Sequence, residues 1–248
     1  MPLSNAIHIT AVKDILLTAA LSGLLAGLLL TAIQQLGVMP SLFEAEVYEQ
    51  AMSANQNQPS LENAVSSSQK DVEWEPEDGL QRTALTSISN ISLAFSFAML
   101  LGAAMHLHGK SANWRTGLLW GLAGYTVFFI SPALGLPPEV PGTEAAALQD
   151  RQLWWLMTVL ATATGLALLI FAHNWPLKLL GIVLLATPHL IGAPQPITHA
   201  SAAPLSVVNS FIYASAIANA LFWLALGGLQ GWFSKNSKNS KNSKNSKN

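Results

Sequence analysis

The first candidate metal ligands in the sequence are a pair of glutamates. Glu46 and Glu49, in the segment AEVYE, are spaced i, i+3 and would share one face of a helix. Carboxylate oxygens on one face can together bind a divalent cation. The alternative is a solvated amphipathic turn at a membrane surface, with Tyr48 as its interfacial anchor.

A third carboxylate, Glu139, lies in the segment PALGLPPEVPG, which is rich in proline and glycine. Such a segment predicts a stiff, non-helical loop, because proline fixes φ and removes a backbone donor. The loop would hold the carboxylate in one place. It is followed by RQLWW, whose Trp154 and Trp155 are typical of a helix that enters a membrane at the headgroup boundary. The alternative is a rigid connector followed by an aromatic anchor.

Two histidines complete the candidate set. His189 lies in the apolar run PHLIGAP, and an ionisable residue at membrane depth is a functional candidate because its burial is unfavourable. His199 follows in the next connection. Imidazole nitrogens and carboxylates together suit cobalt, nickel or zinc. The predicted metal ligands are Glu46, Glu49, Glu139, His189 and His199. A hydrogen-bonded structural role is the alternative for His189.

The sequence offers no catalytic site. The chain has no cysteine, which excludes disulfides, thiolate metal sites, Fe–S clusters and cysteine nucleophiles. The segment HGKS resembles the end of a phosphate-binding loop, but Ala104 stands where that motif requires a glycine. Metalloprotease, serine-hydrolase and dinucleotide-binding motifs are also missing. We therefore predict neither an enzyme nor a permanently bound cofactor.

The elements that must position these side chains are membrane-spanning helices. Of the residues, 51% are hydrophobic and 10% charged, a composition typical of integral membrane proteins. The apolar residues form blocks of about 20, the length of a helix that spans a bilayer, and this excludes a barrel of short alternating strands. We predict an all-α membrane domain over 1–233, with six spans at about 15–36, 84–105, 114–136, 153–172, 176–193 and 205–229.

Six spans are favoured by the distribution of charge. The basic residues fall on one side of a six-span chain, at Lys13, Lys110, Arg115, Lys178 and the lysines of the C-terminal tail. The acidic residues fall on the other side, in the outward loop 37–83 and in the connection with Glu139. Because basic loops stay inside, both termini are predicted to be cytoplasmic. The fifth span is short and contains Pro188, so a five-span chain with a re-entrant segment is the alternative.

The remaining features predict packing surfaces and a tail. Gly23 with Gly27, and Gly117 with Gly121, form GxxxG pairs that indicate close helix packing. The Ser-Lys-Asn repeat over 234–248 is too polar to bury, and we expect a disordered cytoplasmic extension. Polar residues also occur inside the spans, where they either join helices or line a pathway. These include Thr31, Gln34, Ser89, Asn90, Asn209, Ser215 and Asn219.

Taken together, these motifs resemble the CbtA family, predicted cobalt transporter subunits of bacteria. The resemblance covers nearly the whole chain up to the repeat tail. It rests on AEVYE at 45–49, the second span led by Arg82, PALGLPPEVPG at 132–142, RQLWW at 151–155 and PHLIGAP at 188–194. Family descriptions commonly give five spans, whereas the charge pattern here favours six.

The resemblance implies a multi-pass protein of the bacterial inner membrane that takes part in Co²⁺ uptake for cobalamin synthesis. It also implies a small, single-span, histidine-rich partner, CbtB, and no nucleic acid is expected as a partner. The family's motif positions correspond here to Glu46, Tyr48, Glu49, Glu139, Arg151, Gln152, Trp154, Trp155 and His189. Two alternatives stand beside transport. One is an accessory subunit without a substrate path, and the other is a haem-binding redox subunit, which would need histidines on facing helices.

Overall fold

The computed structural model describes residues 2–56, 76–77, 79–109 and 113–245 of the chain. Within these ranges every regular element is helical, and the predicted all-α class is confirmed. The helices are α1 (Pro2–Ile33), α2 (Met39–Gln56), α3 (Leu80–Leu107), α4 (Trp114–Tyr125), α5 (Ser131–Ala133), α6 (Leu148–Phe171), α7 (Trp175–Ile191) and α8 (Leu205–Asn245). Single π-helical turns, Gln34–Val38 and Thr126–Ile130, join α1 to α2 and α4 to α5.

Within the described ranges, five helical stretches are long and apolar enough to cross a membrane: α1 with α2, α3, α4 with α5, α6, and α8. A shorter helix, α7, is apolar but has only 17 residues, which gives a length of roughly 25 Å. It packs along α6 as an antiparallel hairpin. The ring of His189, in the last turn of α7, lies 6.3 Å from the ring of Trp154 near the start of α6. The predicted fifth span is therefore a helix that runs along most of α6.

The two ends of the bundle are distinguished by the residues that they bring together. The Ser237 hydroxyl donates to the Asp14 carboxylate at 3.2 Å, so the first and last helices meet at one end, which we call the inner end. The opposite, outer end holds Glu46, Glu139 and His189. The charge distribution predicts that the inner end faces the cytoplasm.

Glycines bring α1 and α3 into direct backbone contact. A Cβ on Gly23 would lie 2.7 Å from Phe95 Cα, and a Cβ on Gly27 would lie 2.6 Å from Ile91 Cα. Real Cβ atoms do not approach a backbone so closely, so these helices pack as they do only with glycine at both positions. The first GxxxG prediction is confirmed.

The second GxxxG pair joins α4 to α8. Cβ atoms on Gly117 and Gly121 would collide with the carbonyl oxygens of Gly227 and Trp223, respectively. α8 contributes its own pair, Gly227 and Gly231, which the sequence analysis did not single out. The predicted packing surface on α4 is therefore confirmed, and its partner surface is also made of glycine.

Between α1, α3 and α8 the middle of the bundle is apolar. We call the buried residues of this layer the apolar plug, and they are Ala26, Ala94, Ala98, Phe222 and Leu226. Small side chains on α1 and α3 leave room for large ones from α8, so the layer is filled without polar groups.

Two segments differ from the prediction. Residues 39–56, expected in an outward loop, form α2, which continues α1 because its Ala45 packs against the outer loops and its residues favour helix. Most of the rest of that loop lies outside the described residues. The backbone of the repeat tail is helical through Asn245 rather than disordered. Extension of an existing helix needs no new nucleation, so even a polar sequence can prolong α8.

Candidate functional site

The outer end is closed by two loops, one after α5 and one after α7. Ala202 N donates to Gly142 O at 3.0 Å, and Glu144 N donates to Ala200 O at 2.9 Å, so the loops are joined to each other. An apolar cluster beneath them fixes both loops on α2 and α8; it consists of Ala45, Val140, Ala203 and Val207. The loops that contain Glu139 and His199 are thus anchored to the bundle.

Glu46, on α2, is bound by an arginine. Arg82 Nη2 lies 2.5 Å from Glu46 Oε1, and Arg82 Nη1 lies 3.3 Å from Oε2, the two-pronged geometry typical of arginine and carboxylate. The guanidinium also lies over the Phe43 ring, 5.0 Å from its centroid. A metal ion that bound Glu46 would have to displace Arg82.

Glu139 has the same kind of partner. The loop around it is non-helical, as predicted, and Arg151 Nη2 donates to Glu139 Oε2 at 2.6 Å. Arg151 Nε is buried and has no hydrogen-bond partner among the described residues. The arginine of RQLWW therefore binds the glutamate of the preceding proline-rich loop, which links two motifs that looked separate in the sequence.

His189 is hydrogen-bonded at the outer end of α7. Its Nε2 lies 3.2 Å from Ser131 Oγ, which in turn lies 2.8 Å from Thr162 Oγ1. The neighbouring carbonyl of Pro188 accepts a hydrogen bond from Trp154 Nε1 at 3.3 Å. His189 thus connects α5 with α7.

The five predicted ligands do not form one site. A Cβ on Gly142 would lie 3.2 Å from Glu49 Cβ, so Glu49 packs beside the first outer loop. His199 is exposed on the second outer loop. Across the part of the chain that the structure describes, no three His, Asp or Glu side chains are close enough to hold a metal ion together.

A cavity of about 430 Å³ lies between the π-helical turn Gln34–Val38, α2, α3 and α8 and extends along α3 from Arg82 to Asn90. At its floor, Asn90 Nδ2 donates to Thr31 Oγ1 at 3.0 Å and to Gln34 Oε1 at 2.6 Å. We call Thr31, Gln34 and Asn90 the outer polar layer. Gln34 is the first residue of a π-helical turn, a feature often found at functional sites.

An inner polar layer lies on the other side of the apolar plug. Ser22 Oγ donates to Gln230 Oε1 at 2.5 Å, and Gln230 Nε2 donates to Thr18 Oγ1 at 3.2 Å. Gln230 and Ser22 are fully buried. Along α1, the inner polar layer, the apolar plug and the outer polar layer follow one another at intervals of one to two turns.

A match to a protein-family model identifies the family of this chain. Residues 12–235 match the model of a family described as probable cobalt transporter subunit. The chain belongs to the CbtA family. No curated protein and no solved structure matches it. CbtA membership makes this multi-pass membrane protein a subunit of a metal transporter.

Two features of the outer end and of the inner polar layer were not identified from the sequence. Arg82 and Arg151 were noted within motifs, but not as partners of Glu46 and Glu139; a basic residue near the predicted outer, acidic side was the available signal. Gln230 was missed because it follows the last predicted span by one residue. A lone glutamine within GGLQGW was the signal that it is buried.

Proposed function

We propose that this CbtA-family protein is the membrane subunit of a Co²⁺ uptake system that supplies cobalamin synthesis in a bacterial inner membrane. The observation that supports this is the family match over 12–235, whose description names a cobalt transporter subunit. A subunit implies a partner, and we propose the small histidine-rich, single-span protein of the CbtB type. The complex would bring Co²⁺ to the outer end and release it at the inner end.

The charges at the two ends support this orientation. The described basic side chains at the inner end are Lys13, Arg115, Lys178 and Lys235. Glu44, Glu49, Glu144 and Asp150 lie at or near the outer end. An acidic outer surface raises the local concentration of a divalent cation, and a basic inner surface agrees with a cytoplasmic side.

Ion capture is assigned to five separate groups around the outer end, which we call the outer rim: Glu46, Glu49, Glu139, His189 and His199. Because Glu46 and Glu139 are held by arginines, each would bind Co²⁺ only when its ion pair opens. Their side chains are only about a quarter exposed, so an approaching ion competes with an existing partner. Capture at the rim would therefore be weak and exchangeable, as a transport pathway requires.

The outer part of the passage inward is assigned to the outer polar layer. Gln34 and Asn90 of this layer line the cavity. The inner polar layer, which joins α1 to α8, lies beyond the apolar plug. In the conformation described, Phe222 and Leu226 of the plug are buried and separate the two layers. Transport would require α8 to move relative to α1, which would open the plug toward the inner end.

Radioactive cobalt accumulation tests the proposal in a host without cobalt importers of its own. The chain is expressed with and without the small histidine-rich partner, and its amount in the membrane is measured. We expect accumulation above the empty-vector level that excess nickel suppresses only weakly. Absence of accumulation with the partner present, from folded protein in the membrane, would contradict transport.

The rim assignment has its own test in the same assay. Glu139→Ala and His189→Ala are expected to reduce cobalt accumulation, because each removes a capture group. Glu44→Ala is the matched control, since Glu44 is exposed on α2. Accumulation that is equal in all three variants and in the unaltered protein would refute the ligand assignment.

The two ion pairs also favour a second candidate, an accessory subunit without its own ion path. In that case Glu46 and Glu139 serve only to hold the outer end together through Arg82 and Arg151. This function predicts that replacement of both members of a pair by similarly sized neutral residues, as in Glu139→Gln with Arg151→Met, leaves cobalt accumulation by the complex unchanged. Transport through this chain predicts a loss.

A further inference from the structure

A second cavity, which we call the inner groove, runs along the inner half of the bundle between α3, α4 and α6. Its volume is about 660 Å³. Along α3 it extends from Phe97 to His108, and along α4 and the following turn it extends from Thr116 to Phe128. Between Phe97 and His108 the helix rises by roughly 16–17 Å. The hydrocarbon of one leaflet is about half of the ~30 Å core, so the inner groove matches the depth of one leaflet.

Small side chains on facing helices keep the inner groove open. Its walls include Ala104 of α3, Ala123 of α4, and Ala163 and Ala167 of α6. The hairpin of α6 and α7 packs on the rest of the bundle mainly through α5 and the turn Thr126–Ile130, which lie toward the outer end. The inner half of α6 therefore leaves a recess beside α3 and α4.

The walls of the inner groove suit a hydrocarbon chain. Its two threonines, Thr116 and Thr126, donate their hydroxyl hydrogens to the carbonyls of Asn113 and Leu122, so they offer no donor to the groove. Among the described residues that line it, none carries a carboxylate, an ammonium or a guanidinium group. Apolar surface of this kind gains by contact with an acyl chain and offers nothing to a metal ion.

The inner end of the groove has a different chemistry, because hydrogen-bond donors and positive charge gather there. His108 lines this end, and its ring nitrogens have no hydrogen-bond partner within the described ranges. Arg115 is exposed beside Thr116, with its guanidinium 5.3 Å from the centroid of the Trp114 ring. The sequence segments 106–118 and 171–180, which form the inner connections, contain no aspartate or glutamate. A basic surface at the end of an apolar groove between helices complements an anionic lipid headgroup.

We infer that the inner groove binds an anionic phospholipid of the cytoplasmic leaflet, with one acyl chain in the groove and the phosphate beside His108 and Arg115. That leaflet carries the anionic lipids, and the inner end is the predicted cytoplasmic side. A lipid fits better than the helix of a partner, because the rings of Trp120 and Phe171 lie 6.2 Å apart between α4 and α6 at this end. A helix of about 10 Å diameter would have to separate those rings, whereas an acyl chain lies beside them. This inference does not depend on the proposed transport function.

Native mass spectrometry of the purified, delipidated full-length protein in detergent measures the binding. The probes are dioleoylphosphatidylglycerol and dioleoylphosphatidylcholine, which share their acyl chains and differ in headgroup charge. We expect the unaltered protein to bind the anionic lipid about fivefold more tightly, the effect of one basic side chain near a phosphate. Arg115→Gln should abolish this preference, and Arg115→Lys should keep it. Because Arg115 is exposed, neither variant threatens the fold.

Filling the groove tests the position of the acyl chain. Ala163 and Ala167 are exposed on the groove wall, so Ala163→Phe with Ala167→Phe occupies the space of the chain, and we expect affinity for both lipids to fall about tenfold. The matched control is Ala103→Phe, since Ala103 is exposed on α3 next to the groove residue Ala104.

Three results would overturn the inference. Equal affinity for the two lipids in the unaltered protein would mean an ordinary lipid-facing surface. Equal anionic-lipid affinity in the filled variant and in Ala103→Phe would place the lipid elsewhere. A filled variant that keeps its lipid affinity but no longer co-purifies with the small histidine-rich partner would show that the groove is a docking surface for a helix.

Discussion

The two polar layers of the bundle have similar chemistry and opposite surroundings. In each layer an amide from another helix is bonded to at least one hydroxyl group of α1: Gln230 of α8 in the inner layer and Asn90 of α3 in the outer layer. In the inner layer Gln230 is fully buried and both ends of its amide are bonded. In the outer layer the Asn90 amide borders a cavity, and its Oδ1 has no hydrogen-bond partner among the described residues.

This difference shows that polar residues inside a membrane protein cannot be assigned a role by residue type. A fully bonded amide in a closed interior holds helices together, because any loss leaves an unpaired group away from water. An amide with an unused acceptor beside a cavity can bind something else. Closure around the amide, rather than its polarity, is what distinguishes the two layers.

The largest loss of stability is expected from Gly27→Leu. Gly27 lies on α1 between the two layers. A Cβ at this position would lie 2.6 Å from Ile91 Cα, so α3 must move away and both layers lose their contacts. Overpacking of this kind costs about 1–3 kcal/mol or more, and we expect little folded protein in the membrane. Gel filtration in detergent measures the folded fraction. The control is Gly37→Leu, since nothing lies within 4 Å of a Cβ on Gly37; equal folded yields for the two variants would contradict the packing.

The second largest loss of stability is expected in the inner polar layer. Gln230→Ala removes both hydrogen bonds of a fully buried amide and leaves Ser22 without its partner from α8, at a loss of about 1–3 kcal/mol of unfolding free energy. Thermal unfolding in nanodiscs measures the loss. Cobalt accumulation per folded molecule is expected to be unchanged. Gln149→Ala, at an exposed position, is the control; a loss of transport without a loss of stability would assign the inner layer to the pathway.

The fold was largely predictable because span length and charge bias follow from bilayer physics. Blocks of about 20 apolar residues placed five long helices and the shorter α7, and GxxxG pairs identified two packing seams. α2 was missed because hydropathy falls after residue 36, although Ala45 packs tightly at the outer end. Hydropathy reports contact with lipid, whereas α2 is held by contacts with loops that are distant in sequence.

The candidate site was less predictable for the same reason. Spacing identified Glu46 and Glu139 as carboxylates held in place, but it could not show that Arg82 and Arg151 hold them. Those pairs join residues that are 36 and 12 positions apart. Likewise, Asn90 and Gln230 look alike in the sequence. Only the packing around each amide separates the cavity floor from the closed inner layer.

The third largest loss of stability is expected in the outer polar layer. Asn90→Ala removes two hydrogen bonds, as Gln230→Ala does, but water in the cavity can reach the groups that are left. We expect a loss of about 1 kcal/mol or less, smaller than for Gln230→Ala under the same conditions. Thermal unfolding of both variants in one lipid composition measures the difference. If Asn90→Ala proved the more destabilising, the outer layer would be structural and the distinction between the layers would fail.

The smallest effect on stability is expected from Glu139→Gln at the rim. Its ion pair with Arg151 is about a quarter exposed, and pairs of this kind contribute about 0–1 kcal/mol. Glutamine keeps an oxygen that can accept from Arg151, so the loop should stay in place while the charge is lost. Unfolding temperature should therefore be nearly unchanged, and any fall in cobalt accumulation would report on the lost charge. A loss of stability as large as that of Gln230→Ala would mean that the ion pair at the outer end contributes as much to the stability of the bundle as the inner polar layer does.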